Sequence, residues 1–402
     1  MLHVVIVYPM DPLGSKIGGV VTFLKGLIAH SPPDFHFDFF GITSDRRNRP
    51  LWKRRTLAFG AKSFSFVPVL EKRNENEKDP IPLALKFSLA LLLRRVRPAP
   101  GVFVFNRIEP SLAFPGRTDP KIGFIHSDMT RQTAAGATEV LWSRWPHAYS
   151  LLEKAAFRRL HMVFVNNRRS LEHYMRRHPR ATGKFAYVSI WVDPELFFPS
   201  AESKRSAREN LRQIRPFLPI DDPWIVFAGR LQKVKNPRLA VAGFRQFRRA
   251  GGAGKLLIIG EGNLRERIAE TIRREELVDD VFLLGEMTQK ALADFYRAAD
   301  ILVSTSLTEG GPRSVLEALG SGIPVVTTDV GEVRCFVRSG VSGEIVDASA
   351  EDIGNALDRI LSRPDIYTVS RCLESVKELT PRRVLQPVYQ KIRELGERAG
   401  RL

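Results

Sequence analysis

The chain has 402 residues, 44% of them apolar, and a formal net charge of +18. That predicts two domains with ordinary cores. No apolar run approaches the roughly 20 residues a membrane helix needs, and the two cysteines, Cys335 and Cys372, match no zinc spacing and read as reduced thiols of a cytosol. The charge is uneven: residues 1–195 carry +14 of it. An excess of that kind points either to an anionic partner (nucleic acid, membrane surface or phosphorylated substrate) or to a solvated basic face.

In chain order, "HVVIVYP" (3–9) predicts a buried first strand, with no cationic n-region or cleavage site of a signal peptide. The loop "MDPLGSKIGGVVTFLKGL" (10–27) places Gly18 and Gly19 before an amphipathic helix. Glycines there let backbone N–H groups approach a phosphate or sugar, though paired glycines also occur in ordinary turns. Further strands are predicted at 35–42, 63–69, 101–107, 121–127, 162–167 and 185–190. Basic clusters stand at 45–55, 91–97, 157–160 and 174–180. The segment "PLALKFSLALLLRRVRP" (82–98) has an apolar body and a basic end. It fits either a core helix with a basic cap or a helix lying on an anionic membrane. His126 ends the 121–127 strand; a lone histidine is often a packing or capping residue. The segment 191–207 reads as the link between domains.

The second half alternates short β-branched runs (224–230, 255–262, 281–287, 300–306, 324–329, 343–347) with helical patterns at 236–251, 263–277 and 288–299. The first opens on Asn236 as cap with Pro237 in its first turn, and the last on a threonine cap. Strand-helix alternation means right-handed βαβ units and a parallel sheet. The fold class expected is therefore α/β, two doubly wound Rossmann-like domains at 1–195 and 196–380. A final helix at about 381–402, with a kink at Pro387, packs back on the first. Ligands of such sheets bind outside the carboxyl ends of the strands.

Two loops there carry chemistry. In "AGRLQKVKNP" (228–237), Arg230 and Lys235 fit either a diphosphate clamp or ordinary surface charge. In "STSLTEGGPRSVLEALGSGIPVV" (304–326), Glu309 stands on a glycine turn after a strand and Glu317 lies in the next helix. A carboxylate accepts two strong hydrogen bonds, which suits vicinal hydroxyls. The backbone N–H groups of Gly310, Gly311, Arg313 and Ser314, around Pro312 and before Val315, can hold an anion between the acids. Taken alone, an eight-residue Glu–Glu spacing is common by chance.

Residues 220–350 resemble, in motif order and spacing, the C-terminal domain of the retaining GT-B glycosyltransferases of family 4, the group 1 glycosyltransferases. Weaker echoes are "GGV" at 18–20 and "SIWVDPELFFP" at 189–199. The resemblance implies two domains facing across a cleft, with a nucleoside-diphosphate sugar as donor and retention of anomeric configuration. It implies that Glu309 contacts the sugar hydroxyls, Glu317 the ribose, and Arg230 and Lys235 the diphosphate. Gly18 or Gly19 approaches the donor from the other domain, Met287 lies near the base, and His126 lies beside the sugar. Asp128 and Arg131 are weaker candidates for shaping the acceptor site. No Asp-x-Asp motif occurs, so neither metal nor cofactor is expected. The chain departs from the family in "EGGP" (309–312), which lacks the usual aromatic, in "GEVRCF" (331–336), which lacks a proline and second acid, and in Trp191, where glycine is usual. The function expected is transfer of a hexose-type sugar to a glycan or lipid-linked acceptor, in bacterial cell-surface polysaccharide synthesis. The location expected is cytoplasmic, with peripheral attachment to the inner leaflet. A GT-B nucleotide-sugar epimerase or hydrolase is the first alternative. A nucleic-acid-binding protein is the second; no nucleic acid is expected as a partner, because the basic clusters lack interleaved aromatics.

Overall fold

The computed structural model describes residues 1–14, 18–73, 81–94, 98–115, 117–126 and 146–400. The chain divides into two compact units, Met1–Ile190 with Pro381–Leu402, and Trp191–Thr380.

The first unit contains β1 (Leu2–Val7), α1 (Gly19–Ala29), β2 (Phe35–Thr43), β3 (Arg55–Phe59), β4 (Lys62–Glu71), α2 (Leu83–Leu93) and β5 (Val102–Phe105). It continues with β6 (Lys121–Ile125), α3 (Pro146–Arg159), β7 (Met162–Val165), α4 (Arg168–Arg177) and β8 (Phe185–Tyr187). The strands form one sheet in the order β3-β4-β2-β1-β5-β6-β7-β8. All neighbours are parallel except β3 and β4. Val4 to Val7 and Val102 to Phe105 are fully buried, as continuous apolar runs covered on both faces should be. Strand β3 has no counterpart among the predicted strands. Its sequence, RTLAF, merges with the basic cluster before it, and it is an edge strand with exposed positions, so no apolar run marks it.

Helix α2 is apolar but for Lys86 and Ser88. Ala84, Phe87 and Leu91 are buried, while Leu85, Leu89, Leu92 and Leu93 are exposed. Among the described residues no helix is long and apolar enough to cross a membrane.

The second unit contains α5 (Lys204–Ile214), β9 (Trp224–Ala228), α6 (Pro237–Arg249), β10 (Lys255–Ile259), α7 (Arg265–Arg274), β11 (Val281–Gly285) and α8 (Gln289–Ala298). After these come β12 (Ile301–Ser304), α9 (Arg313–Gly320), β13 (Val325–Thr328), β14 (Gly343–Val346), α10 (Ala350–Leu361) and α11 (Val369–Val376). Its all-parallel sheet runs β11-β10-β9-β12-β13-β14. The chain works outward from β9 to one edge, then returns to β12 and works outward to the other. The crevice between β9 and β12 is thus the topological switch point where such sheets bind ligands.

The segment read from sequence as a link is part of this unit. Trp191, Val192 and Phe197 are buried, and the Val192 N–H donates to the Leu379 carbonyl at 2.9 Å. Apolar residues after a strand were enough to recruit it to the core. The last helix, α12 (Pro381–Gly400), belongs to the first unit and continues through Pro387. Leu385, Val388, Ile392 and Leu395 are buried, and the Tyr389 hydroxyl donates to the Leu27 carbonyl at 2.9 Å.

Candidate functional site

The two loops at the switch point are tied together by their backbones. The Leu307 N–H donates to the Val234 carbonyl at 2.8 Å, and the Thr305 hydroxyl donates to the Asn236 carbonyl at 2.9 Å. Asn236 sits in the left-handed region (φ 48°) and starts α6 without using its side chain as a cap. The expected cap is therefore a backbone turn, and it carries Lys235 toward the β12 loop. Behind it, the loops after β9 and β10 pack backbone on backbone: a Cβ at Gly260 (φ 142°) would lie 2.0 Å from the Gly229 carbonyl.

The result is an ion pair between Lys235 and Glu309. The Ser306 hydroxyl also donates to Glu309 Oε1, at 2.9 Å, and Thr328 donates to the Ser306 carbonyl at 2.7 Å. Arg230 is exposed, and no ion pair to it occurs among the described residues. One cation thus holds the acid of the turn, while a second is open to an anion. The turn itself rests on Gly331 (φ 58°), where a Cβ would lie 2.5 Å from the Gly310 carbonyl and 2.8 Å from that of Glu309. Only glycine fits there. The "GEVRCF" segment thus holds the acid turn through backbone contact.

Pro312 starts α9 without a side-chain cap, so the N–H groups and dipole of the first turn face a potential anion. One turn on, Glu317 is 8% exposed. No hydrogen bond or ion pair to its carboxylate occurs among the described residues. Burial pushes its pKa up to about 7, against the opposing charges of Arg313 and Lys235. Arg313 is pushed down by burial to about 10 and held up by Glu317, so it stays cationic. Its guanidinium lies 5.1 Å from the centre of the Trp191 ring. Trp191 is thus a platform for the arginine that opens α9. The Tyr296 hydroxyl is buried without a partner, and burial and the Glu317 charge both raise its pKa. Gly310, Pro312 and Val315 are buried, and Gly311 and Ser314 are half-buried in the same turn. Met287 is half-buried in the loop after β11, two strands from β9.

In the first unit, Gly18 caps α1 with extended backbone, and Gly19 is its first residue. Phe23 of α1 meets the His126 ring edge-on at 4.7 Å between centres. His126 follows β6, and its Nε2 lies 2.7 Å from Asn106 Oδ1. Asp128 and Arg131 lie outside the described residues. Sequence reasoning did not single out Ser306, Gly331, Tyr296, Asn106 or Asn166. The signal available for the last two was an asparagine directly after each of two apolar strands.

One group among the described residues has metal-ligand spacing. His3, His36 and Asp38 bring donor atoms within 4.8 Å of one another at the amino ends of β1 and β2. Its carboxylate is already taken: Arg54 binds both Asp38 oxygens, at 2.7 and 3.1 Å, and His3 Nε2 is 3.2 Å away. This is an ion network bracing the sheet.

Residues 210–374, all within the second unit, match the family described as glycosyl transferases group 1. A D-inositol 3-phosphate glycosyltransferase of Xylanimonas cellulosilytica is 32% identical over 189 residues, which is 46% of this chain and 44% of that protein. The protein of the same name from Pseudarthrobacter chlorophenolicus is 34% identical over 145 residues, 35% of this chain and 34% of that one. The chain therefore spans less than half the length of these relatives. Among solved structures, a sucrose-phosphate synthase from Thermosynechococcus elongatus superposes with a TM-score of 0.80 at 21% identity, covering 98% of this chain and 99% of that one. Anabaena HepE in complex with UDP-glucose gives 0.71 at 14% identity, covering 98% and 100%. The chain has the fold of these proteins, two Rossmann-like α/β units of the GT-B class.

Proposed function

We propose that the whole chain is a group 1 glycosyltransferase. On this reading it moves a hexose-type sugar from a nucleoside-diphosphate sugar, with retention of configuration, to a glycan or lipid-linked acceptor of bacterial cell-surface polysaccharide synthesis. The observation that carries it is the set of charges at the β9–β12 switch point: open Arg230, paired Lys235 and Glu309, and unpaired Glu317 around the uncapped start of α9. Two cations and a helix N-terminus suit a diphosphate, and two carboxylates suit a sugar and a ribose.

In the mechanism proposed, the ribose hydroxyls donate to Glu317 and the sugar hydroxyls to Glu309. The diphosphate takes Lys235 from its resting partner and gains Arg230. As the glycosidic bond lengthens, the sugar becomes oxocarbenium-like and negative charge gathers on the departing diphosphate. Fixed cations and N–H dipoles in a low-dielectric site stabilise that charge, and a single such donor contributes about 3 kcal/mol. The acceptor attacks on the face the diphosphate leaves and passes its proton to a diphosphate oxygen. No side chain of the protein needs to act as nucleophile, and phosphate neutralisation by Arg230 and Lys235 makes a metal unnecessary. The sequence match lies in the second unit, so the acceptor named for the relatives does not carry over with it.

The test is a panel of UDP-glucose, UDP-N-acetylglucosamine, UDP-galactose and GDP-mannose against the wild type and Glu309→Gln, read by thermal shift and slow hydrolysis. One donor that stabilises the protein, and that only the wild type hydrolyses, is the expected result. Binding of none of them overturns the reading.

We also propose that the first unit rests on an anionic membrane surface. The support is the exposed leucine face of α2, ending at Arg94, within the half of the chain that carries most of the positive charge. Liposome co-sedimentation should require anionic lipid and fall in Leu89→Glu. Equal sedimentation with neutral lipid would sink the idea.

A further inference from the structure

At the carboxyl ends of three neighbouring strands, β5, β6 and β7, stand Asn106, His126 and Asn166. The asparagines are 5% and 6% exposed, and each spends one polar atom on the histidine. Asn106 Oδ1 lies 2.7 Å from the ring Nε2. Asn166 Nδ2 donates to the backbone carbonyl of His126 at 3.4 Å. Phe23 and Phe124 confine the ring from two sides, with centres 4.7 and 6.0 Å away. The other atom of each amide, Asn106 Nδ2 and Asn166 Oδ1, is buried without a partner.

A buried polar atom left unmet costs about 1–3 kcal/mol. Two such atoms, at the ends of the strands that flank β6, are a poor choice for core stability alone, where apolar residues would serve better. What the two amides achieve is control of one imidazole. A carboxylate in place of Asn106 would orient the ring equally well but would also favour its protonated form. A carboxamide orients it without adding charge.

We propose that Asn106 is a positioning residue for His126: its carboxamide oxygen holds the imidazole as the Nε2–H tautomer, which leaves Nδ1 as the acceptor atom of the neutral ring, while Asn166 fixes the backbone that carries it. The role in catalysis rests on the reading of His126 as the group beside the transferred sugar. The tautomer does not.

The test uses the full chain with 15N-labelled histidine. Two-bond proton–nitrogen spectra report each ring's tautomer, and His126→Gln identifies the signal. The wild type should show Nε2–H for the neutral ring. Asn106→Ala should show a mixture of tautomers, and Asn106→Asp should raise the titration midpoint of His126 by about one pH unit. On the donor identified above, kcat of Asn106→Ala should fall about 100-fold with little change in donor KM, the scale expected for a misplaced group. An Nδ1–H tautomer in the wild type overturns the proposal, even if the alanine variant fails to fold. So does an unchanged tautomer in Asn106→Ala. If the wild type transfers no sugar at all, the functional reading fails separately and the spectra still decide the positioning.

Discussion

Glu317 shows how a buried carboxyl can weaken the fold that holds it. Burial raises its pKa from 4.5 to about 7. Between those values the folded chain keeps a proton that the unfolded chain has released. Stability therefore falls as pH rises through that window, and the loss is complete above it. Glu317→Gln should raise stability by about 2 kcal/mol at pH 8 and leave it unchanged near pH 4.5. The same variant should lose affinity for UDP, because it removes the acceptor for a ribose hydroxyl pair. Equal melting temperatures of the two proteins at both pH values would mean that the carboxylate is not strained. The charged residues gathered at the β9–β12 switch point were legible in the sequence as acids and cations on strand-end loops. What was not legible is their state. Nothing in the spacing of Lys235 and Glu309 says that they pair at rest, or that Arg313 lies over Trp191.

The elements that position those residues were legible to the extent that they are apolar. The six strands of the second unit stand out as β-branched runs, and their order placed the loops correctly. β3 did not stand out, because an edge strand with a basic start has no such run. The segment 191–207 read as a linker, yet Trp191, Val192 and Phe197 at its start pack into the second unit. Gly331 is the sharpest case. Its importance lies in a backbone contact with residues 309 and 310, twenty positions earlier, which no local pattern encodes. Gly331→Ala should cost about 2 kcal/mol or more through the left-handed backbone and the 2.5 Å approach to Gly310. It should abolish donor binding along with that stability, since the acid turn must move. A melting curve and a UDP titration on the same sample check both. Full UDP affinity in the variant would show that the turn does not depend on the contact.

For the whole molecule, the ordering of the chain matters as much as its two sheets. The first unit is interrupted: residues 1–190 are completed only by α12, which brings four buried aliphatic side chains, Leu385, Val388, Ile392 and Leu395. At about 1.5–3 kcal/mol for each fully buried aliphatic side chain, that helix accounts for roughly 6 kcal/mol or more. Set against a typical stability of about 5–15 kcal/mol, this decides whether the unit folds. A chain ended at Thr380 should lose the melting transition of the first unit and keep that of the second, and on the function proposed above it should still bind UDP. Two intact transitions would show that α12 is dispensable.

The position of α12 also sets a timetable. A ribosome releases residues 1–190 first but the helix that closes their core last, after the whole second unit. At roughly 5–20 residues per second, the first unit waits on the order of 10–40 s with the groove for α12 uncovered. The second unit is therefore the first part of this protein able to complete its core, and the first unit is the part that waits longest with apolar surface uncovered.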